Sequence, residues 1–512
     1  MNKKSLWIFA STFLLFSCAR GMPASSSTTE SSAQSSSSEA VSASLESSSS
    51  SKVTPPALRD VYASPSGKTT SEGTLADPYD ITQAIKESVP GYKVYLLEGT
   101  YKLYNPLKIN SETELYPAAK AEETKTLCPV TKDDGTEAKV AFDCHMMGFG
   151  SANRGISFNT NYWHAKDFEL YGAGDNGVYV GGNHNTIEHL RIHDNQDTGL
   201  QLGRRSSSDA TIDTWPSDNL ILNCTSYDNF DPTGENADGF ACKLTTGYGN
   251  VFDGCISYNN SDDGWDLYTK AESGPIGPVT IQNCIAFNNG MTTQGIGTAN
   301  SDGNGFKLGG EVIPVSHKVI NCLAFNNCAH GFTDNSNPGT ISLTNCTSYN
   351  NGVRDWDCGN INLCRDAATS HNVFKNILSF CEGNKTSNVT LKTTLANSKD
   401  QYKGAVSYSV FYSGLALRHF ADLTSCDYSN SNKKGELIQE NITDPFVSAQ
   451  TPQPMSSKGV PSSQKNDIHA LLRAADGSIK LGDLFKIKTT CSFATMGEGG
   501  KALGCDLSGE GK

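Results

Sequence analysis

A short phrase, a polar residue followed by glycine and a large apolar residue, recurs through the middle of the chain. It appears at Asn176-Gly177-Val178, Thr198-Gly199-Leu200, Asp238-Gly239-Phe240, Asp263-Gly264-Trp265, Asn304-Gly305-Phe306 and His330-Gly331-Phe332, with glycines 22, 40, 25, 41 and 26 residues apart. A second phrase runs between them, in NLILNCTSYDN, NVFDGCISYNN, VTIQNCIAFNN, HKVINCLAFNN and ISLTNCTSYNN, an alternating strand that ends in an asparagine turn. A unit of this size with short strands and no helical pattern cannot bury its apolar face alone, so coils must stack. The fold predicted is all-β: a right-handed parallel β-helix with an N-terminal capping helix near Ile81 to Ser88 and an irregular C-terminal tail.

Stacked coils share one core. Leu190, Cys224, Cys255, Cys284, Cys322, Cys346 and Ile377 are expected to form an inward ladder, and Tyr227, Tyr258, Phe287, Phe325 and Tyr349 a second one. The paired asparagines, such as Asn259-Asn260 and Asn288-Asn289, are expected to stack in the turns, where their side chains bond backbone groups and tolerate left-handed geometry. The repeat cysteines therefore read as small core residues, although the chain holds 16 cysteines. Cys358 with Cys364, Cys491 with Cys505, and Cys128 with Cys144 remain as disulfide candidates.

Strand side chains alternate, so with each repeat glycine as a register mark the next residue points in and the one after it out. Val178, Leu200, Phe240, Trp265, Phe306 and Phe332 form the inward set, and Tyr179, Gln201, Ala241, Asp266, Lys307 and Thr333 the outward set. Adjacent coils lie ~4.8 Å apart, which brings Asp238 beside Asp263 and Asp266 beside Lys307, with Asp262 adjoining. A single aspartate in such a turn reads as a backbone cap. Four together repel unless a cation neutralises them, and an all-oxygen cage suits calcium better than zinc. Lys243, Lys270, Arg204 and Arg205 are candidates for contacting substrate carboxylates, beside the alternative that each is merely solvated.

Three segments, ENADGFACKL, NNSDDGWDLY and GNGFKLGG, lie in that order on successive coils. They resemble the pectate lyases of polysaccharide lyase family nine. The resemblance implies calcium bound by Asp238, Asp262, Asp263 and Asp266, and β-elimination on a pectic polysaccharide with Lys307 as base. The insertion GMTTQGIGTANSDGNG, ahead of Lys307, departs from the pattern. Adjacent calcium and partial burial are expected to lower the Lys307 pKa, Asp266 alone to raise it, and cleavage to be favoured at alkaline pH. The other enzyme readings are a rhamnogalacturonan lyase and a β-helix glycoside hydrolase, the latter with paired carboxylates and no lysine base. The non-enzymatic reading is a surface carbohydrate-binding protein.

A formal charge of −13 excludes an obvious nucleic-acid partner, which normally requires a basic stripe. It also repels a polyanionic sugar unless a divalent ion intervenes. The N-terminus, Lys3-Lys4 before an apolar run from Leu6 to Phe16, reads as an export signal over 1–17. Its end at Leu15-Phe16-Ser17-Cys18 resembles a lipobox, which makes Cys18 a lipidation candidate and the membrane a partner only through that anchor; an ordinary secretory signal is the alternative. Residues 18–57 form a serine-rich spacer with little to bury, residues 58–432 the catalytic β-helix, and 433–512 a tail packed on it. The protein is expected to be an exported monomer, anchored to the cell envelope or secreted.

Overall fold

The computed structural model describes residues 59–354, 359–363, 372–382, 389–390, 405–413, 416–423 and 436–509. The signal, the serine spacer, Cys18 and the Cys358–Cys364 pair lie outside them. Three ladders of short parallel strands wind along one axis. One contains Thr186–Glu188, Leu220–Leu222, Val251–Asp253, Thr280–Gln282 and Lys318–Ile320. The next contains Arg191–His193, Thr225–Tyr227, Ile256–Tyr258, Ile285–Phe287 and Leu323–Phe325. The third joins Val178–Val180, Leu200–Leu202, Phe240–Cys242, Trp265–Asp266, Phe306–Lys307 and Phe332–Thr333. Each coil contributes one strand to each ladder.

The helix α1 spans Ile81–Glu87, capped by the Asp80 carboxylate, which accepts from the Gln83 amide. Its Ile81, Ala84 and Ile85 enter the central core, so the helix covers the edge that the first coil would otherwise expose. The predicted inward set from Val178 to Phe332 is buried in that core, as is the ladder from Leu190 through the cysteines to Ile377. The cysteine thiols donate to nearby carbonyls, Cys284 Sγ to Gln282 O at 3.0 Å for instance, which satisfies the only polar atom of an otherwise apolar stack.

The aromatic ladder points the other way. Within Ile256–Tyr258 the inward residue is Ser257, close to the glycine corner, and alternation sends Ile256 and Tyr258 outward. Of the outward stack, Tyr258, Phe287, Phe325 and Tyr349 are buried and Tyr227 partly buried by C-terminal residues, among them Phe446, Ile468, Phe485 and Phe493. Arg473 fastens that cover by donating to Gly254 O at 2.8 Å and Cys224 O at 2.9 Å. Covering each such aromatic stabilises by roughly 1.5–3 kcal/mol, which explains why an irregular segment stays in place.

Asparagines form the turn stack that was expected. Asn259, Asn288, Asn326 and Asn350 take left-handed φ angles, while the residue after each is buried. Side-chain amides run from Asn229 to Asn260 (2.7 Å), Asn260 to Asn289 (3.0 Å), Asn289 to Asn327 (2.9 Å) and Asn327 to Asn351 (2.8 Å). Two expected disulfides are absent: Cys128, Cys144, Cys491 and Cys505 are free thiols. Cys144 faces the central core, whereas Cys128 follows the inward Leu127 and so faces away from it, and strand alternation keeps the pair apart. Cys491 caps the short turn Ser492–Ala494, while the Cys505 amide is held by Thr347, so the two serve different anchor points of the tail.

Candidate active site

Each repeat glycine sits where a Cβ has no room. At Gly239 it would meet Ser257 Oγ at 2.1 Å, and at Gly264 it would meet Gly305 O at 2.5 Å. The bare backbone lets consecutive corners stack, with Gly199 N bonded to Asp238 O and Gly239 N to Asp263 O, both at 2.9 Å, and Gly264 N to Asn304 O at 2.8 Å. The residue before each glycine therefore forms a vertical column, Thr198, Asp238, Asp263 and Asn304. Beside it, the outward residues Ala241, Asp266 and Lys307 pair in register.

Asp238, Asp262 and Asp263 are all buried and can each present one oxygen within 4.8 Å of the others. Asp266 lies outside that trio; its Oδ2 is 3.1 Å from Lys243 Nζ. Lys243 Nζ also lies 2.7 Å from Asp238 Oδ2. Lys243, expected to contact substrate carboxylates, is placed among the site's own carboxylates and is buried, as Lys307 is. Lys270 is exposed on a short turn, Arg205 is exposed and paired with Asp209 at 3.3 Å, and Arg204 is half-buried. None of these three joins the carboxylate cluster.

Lys307 Nζ stands 3.1 Å from Asp263 Oδ2 and 2.8 Å from Asp302 Oδ2, 5.6 Å from the centre of the Tyr268 ring. Asp302 comes from the insertion, and its backbone amide donates to Asp262 Oδ1 at 2.7 Å. One residue thus touches both the lysine and the acid trio. Repeat register had no place for Asp302, because the insertion breaks the spacing; the only signal was an acid in the segment just ahead of Lys307. Asn304 donates twice to Asp263 Oδ1, at 2.6 and 2.9 Å, and Thr198 Oγ1 donates to Asp238 Oδ2 at 3.0 Å.

Burial pushes the Asp238 carboxyl up to about 8, with Asp266 and Asp263 adding to the rise and Lys243 opposing it. Burial likewise raises Asp263 to about 6, against the pull of Lys307, and raises Asp262 well above the usual range with Asp263 reinforcing it. Burial also disfavours charge on Asp266, but Lys307 and Lys243 outweigh it and hold that carboxyl below its ordinary value. For Lys307, burial disfavours the ammonium, yet Asp263, Asp266, Asp262 and Asp302 hold its pKa well above the ordinary lysine value. The carboxylates by themselves thus act against the lowering expected for a base, and only added positive charge in the cluster reverses that balance.

Among the described residues, Asp266 Oδ1 is buried with no hydrogen-bond partner, and Asp263 Oδ2 is met only by the Lys307 ammonium. Buried acceptors without donors are costly, and surplus carboxylate oxygen is the donor set of a hard cation, so the residues fit a calcium ion.

Fold and site together define a parallel β-helix protein with a buried, cation-suited acid cluster and a lysine on the adjoining rung. Residues 61–375 match the family described as Pel9A-like, right handed beta helix region, and the chain belongs to that family. It is 41% identical over 456 residues to a pectate lyase L of Paenibacillus polymyxa, covering 89% of this chain and 84% of the relative. The crystal structure of pectate lyase Pel9A superposes with a TM-score of 0.59 at 25% identity, covering 85% of this chain and 91% of that one. A solved rhamnogalacturonan lyase gives the same TM-score of 0.59 at 22% identity, over 85% of this chain and 97% of that one, a likeness of fold alone.

Proposed function

We propose that this protein is a pectate lyase that cleaves polygalacturonate by β-elimination, with Lys307 as the base. The observation that supports this reading most directly is the Lys307 ammonium nitrogen one rung from Asp266 and in contact with Asp263 and Asp302 beside the acid trio. Asp238, Asp262, Asp263 and Asp266 would hold calcium, which when bound neutralises the sugar carboxylate and so acidifies the neighbouring C5 hydrogen. Lys307 takes that proton. The C5–H electrons become the C4–C5 double bond, and the C4–O4 bond breaks with O4 leaving and taking up a proton. Asp302 and Asp263 hold the amine in place, and Lys243 fixes Asp238 and Asp266. The base must first lose its own proton, so turnover rises toward alkaline pH.

The column of acids favours a lyase over a hydrolase, since Asp262 and Asp263 are sequence neighbours on one corner and do not face each other across a glycosidic bond. The Lys3-Lys4 and apolar N-terminal run together with Cys18 support an exported, envelope-anchored enzyme. No helix among the described residues is long and apolar enough to cross a membrane. Incubation with polygalacturonate, with and without chelator, tests the assignment. Ultraviolet-absorbing unsaturated ends that vanish on chelation are expected; saturated reducing ends, cleavage indifferent to chelator, or binding without cleavage would each overturn it. Rhamnogalacturonan as a parallel substrate separates the two lyase readings.

A further inference from the structure

The column of residues before each repeat glycine continues past the acid rungs. Back from Asp238 it runs through Thr198 and Asn176 to Arg154, whose neighbour Gly155 donates to Asn176 O at 3.0 Å. Three steps of ~4.8 Å place Arg154 about 14 Å along the same face from Asp238. Its guanidinium carbon lies 3.5 Å from the centre of the Tyr179 ring. Tyr179 belongs to the outward row of Asp266, paired in register through Gln201 and Ala241. The Tyr179 hydroxyl is tied to Arg204 O at 2.9 Å, so the ring is a fixed platform.

Arg154 Nε donates to Asp175 Oδ2 at 3.3 Å, which, with the stacking, sets the plane of the guanidinium. Besides its contact with the Tyr179 side chain, Arg154 has no second ion pair among the described residues, and 32% of its side chain remains exposed. Asp175 balances this charge poorly: burial raises its pKa to about 7, and Asp197 beside it adds to the rise. A guanidinium held flat on a ring, with one weakly charged acid partner and a third of its side chain exposed, is the geometry that takes a further carboxylate.

We propose that Arg154 is a distal subsite for a uronate carboxylate, engaging a sugar several units from the bond that breaks. The proposal rests on the uronan-lyase reading. A linear polyuronate presents a carboxylate on every unit, and a chain lying along the column reaches Arg154 only when it extends several sugars beyond the acid cluster. Binding there anchors long chains and leaves the chemical step alone.

The test is kcat/KM against chain length for galacturonate oligomers and polygalacturonate, in wild type, Arg154→Ala and Arg154→Lys, with melting temperatures recorded for all three. For short oligomers the three curves are expected to coincide. For long chains Arg154→Ala should raise KM about tenfold with kcat nearly unchanged, as the loss of one charged hydrogen-bonded pair implies, and Arg154→Lys should recover only part. Curves that coincide at every length, or a loss by one constant factor at every length, would overturn the subsite while leaving the lyase assignment standing. A wild type that yields no unsaturated ends at any length would sink the lyase reading and this inference with it.

Discussion

Among the described residues lysines are buried against carboxylates in two places, and the two differ in how completely the charges and hydrogen bonds close. Near the N-terminal end Lys125 Nζ meets Glu114 Oε1 at 2.6 Å, both side chains fully buried. Ser88 Oγ lies 3.1 Å from the ammonium, and Thr160 Oγ1 and Trp163 Nε1 donate to Glu114 at 2.5 and 3.2 Å. One acid balances one base, and each Glu114 oxygen has a donor. At the acid cluster, Lys243 and Lys307 stand among Asp238, Asp262, Asp263, Asp266 and Asp302, and Asp266 Oδ1 lacks a hydrogen-bond partner. A closed pair holds coils together; an acid surplus with an open acceptor is arranged for something that arrives from outside.

The largest expected separation of the two regions comes from replacing the lysines. Lys307→Ala should lower kcat of the folded, calcium-loaded protein by on the order of 10²–10⁴, the usual contribution of a positioned base. Lys125→Ala should instead destabilise by about 3–5 kcal/mol because Glu114 is left buried and unpaired, while kcat of the folded fraction stays near wild type. Steady-state kinetics beside thermal melts on both variants read this out, and a Lys125 variant that loses turnover without losing stability would break the contrast.

Chelation sharpens it next. Calcium at a hundredfold excess over its dissociation constant should stabilise the protein by about 2.7 kcal/mol, an increment that Asp238→Asn diminishes and Glu114→Gln does not. Equal calcium responses in the two variants would place the ion elsewhere.

The pH dependence has a definite sign. Asp238 and Asp263 are raised to about 8 and about 6, so in the folded, calcium-free protein they keep protons that the unfolded chain releases near pH 4. Their contribution to stability is whole below pH 4 and is lost as pH rises through 6 and 8. Melting in chelator should therefore fall across that window more steeply for wild type than for Asp238→Asn, and parallel curves would refute the charge-surplus account. The smallest effect expected is Asp302→Asn, a loss of about tenfold in kcat from a less firmly held Lys307, without change in melting. A kcat equal to that of wild type would show that the insertion does not position the amine.

Much of this was legible in the repeat. A period marked by glycine, with apolar residues at one fixed offset and polar ones at the next, fixes both the stacking and which side chains share a face. Asp238, Asp263, Asp266 and Lys307 fell on neighbouring rungs for that reason. The aromatic ladder misled because periodicity separates the two sides of a strand without saying which one a distant segment will cover. Phe446, Phe485 and Phe493 bury the outer side, and their placement depends on contacts far apart in sequence. The same limit applied to Lys243, whose flexible stem folds back into the acid trio, and to Asp302, delivered by an insertion outside the register.

What the order of amino acids determined alone was the local, periodic part: coil, core column and row of acids, set by strand alternation and by corners where only glycine fits. What required the folded molecule was every non-periodic partnership, the tail over the aromatics, Asp302 on Lys307 and Arg154 on Tyr179, because such contacts depend on where loops and side-chain rotamers come to rest in space, and no spacing in the chain encodes that.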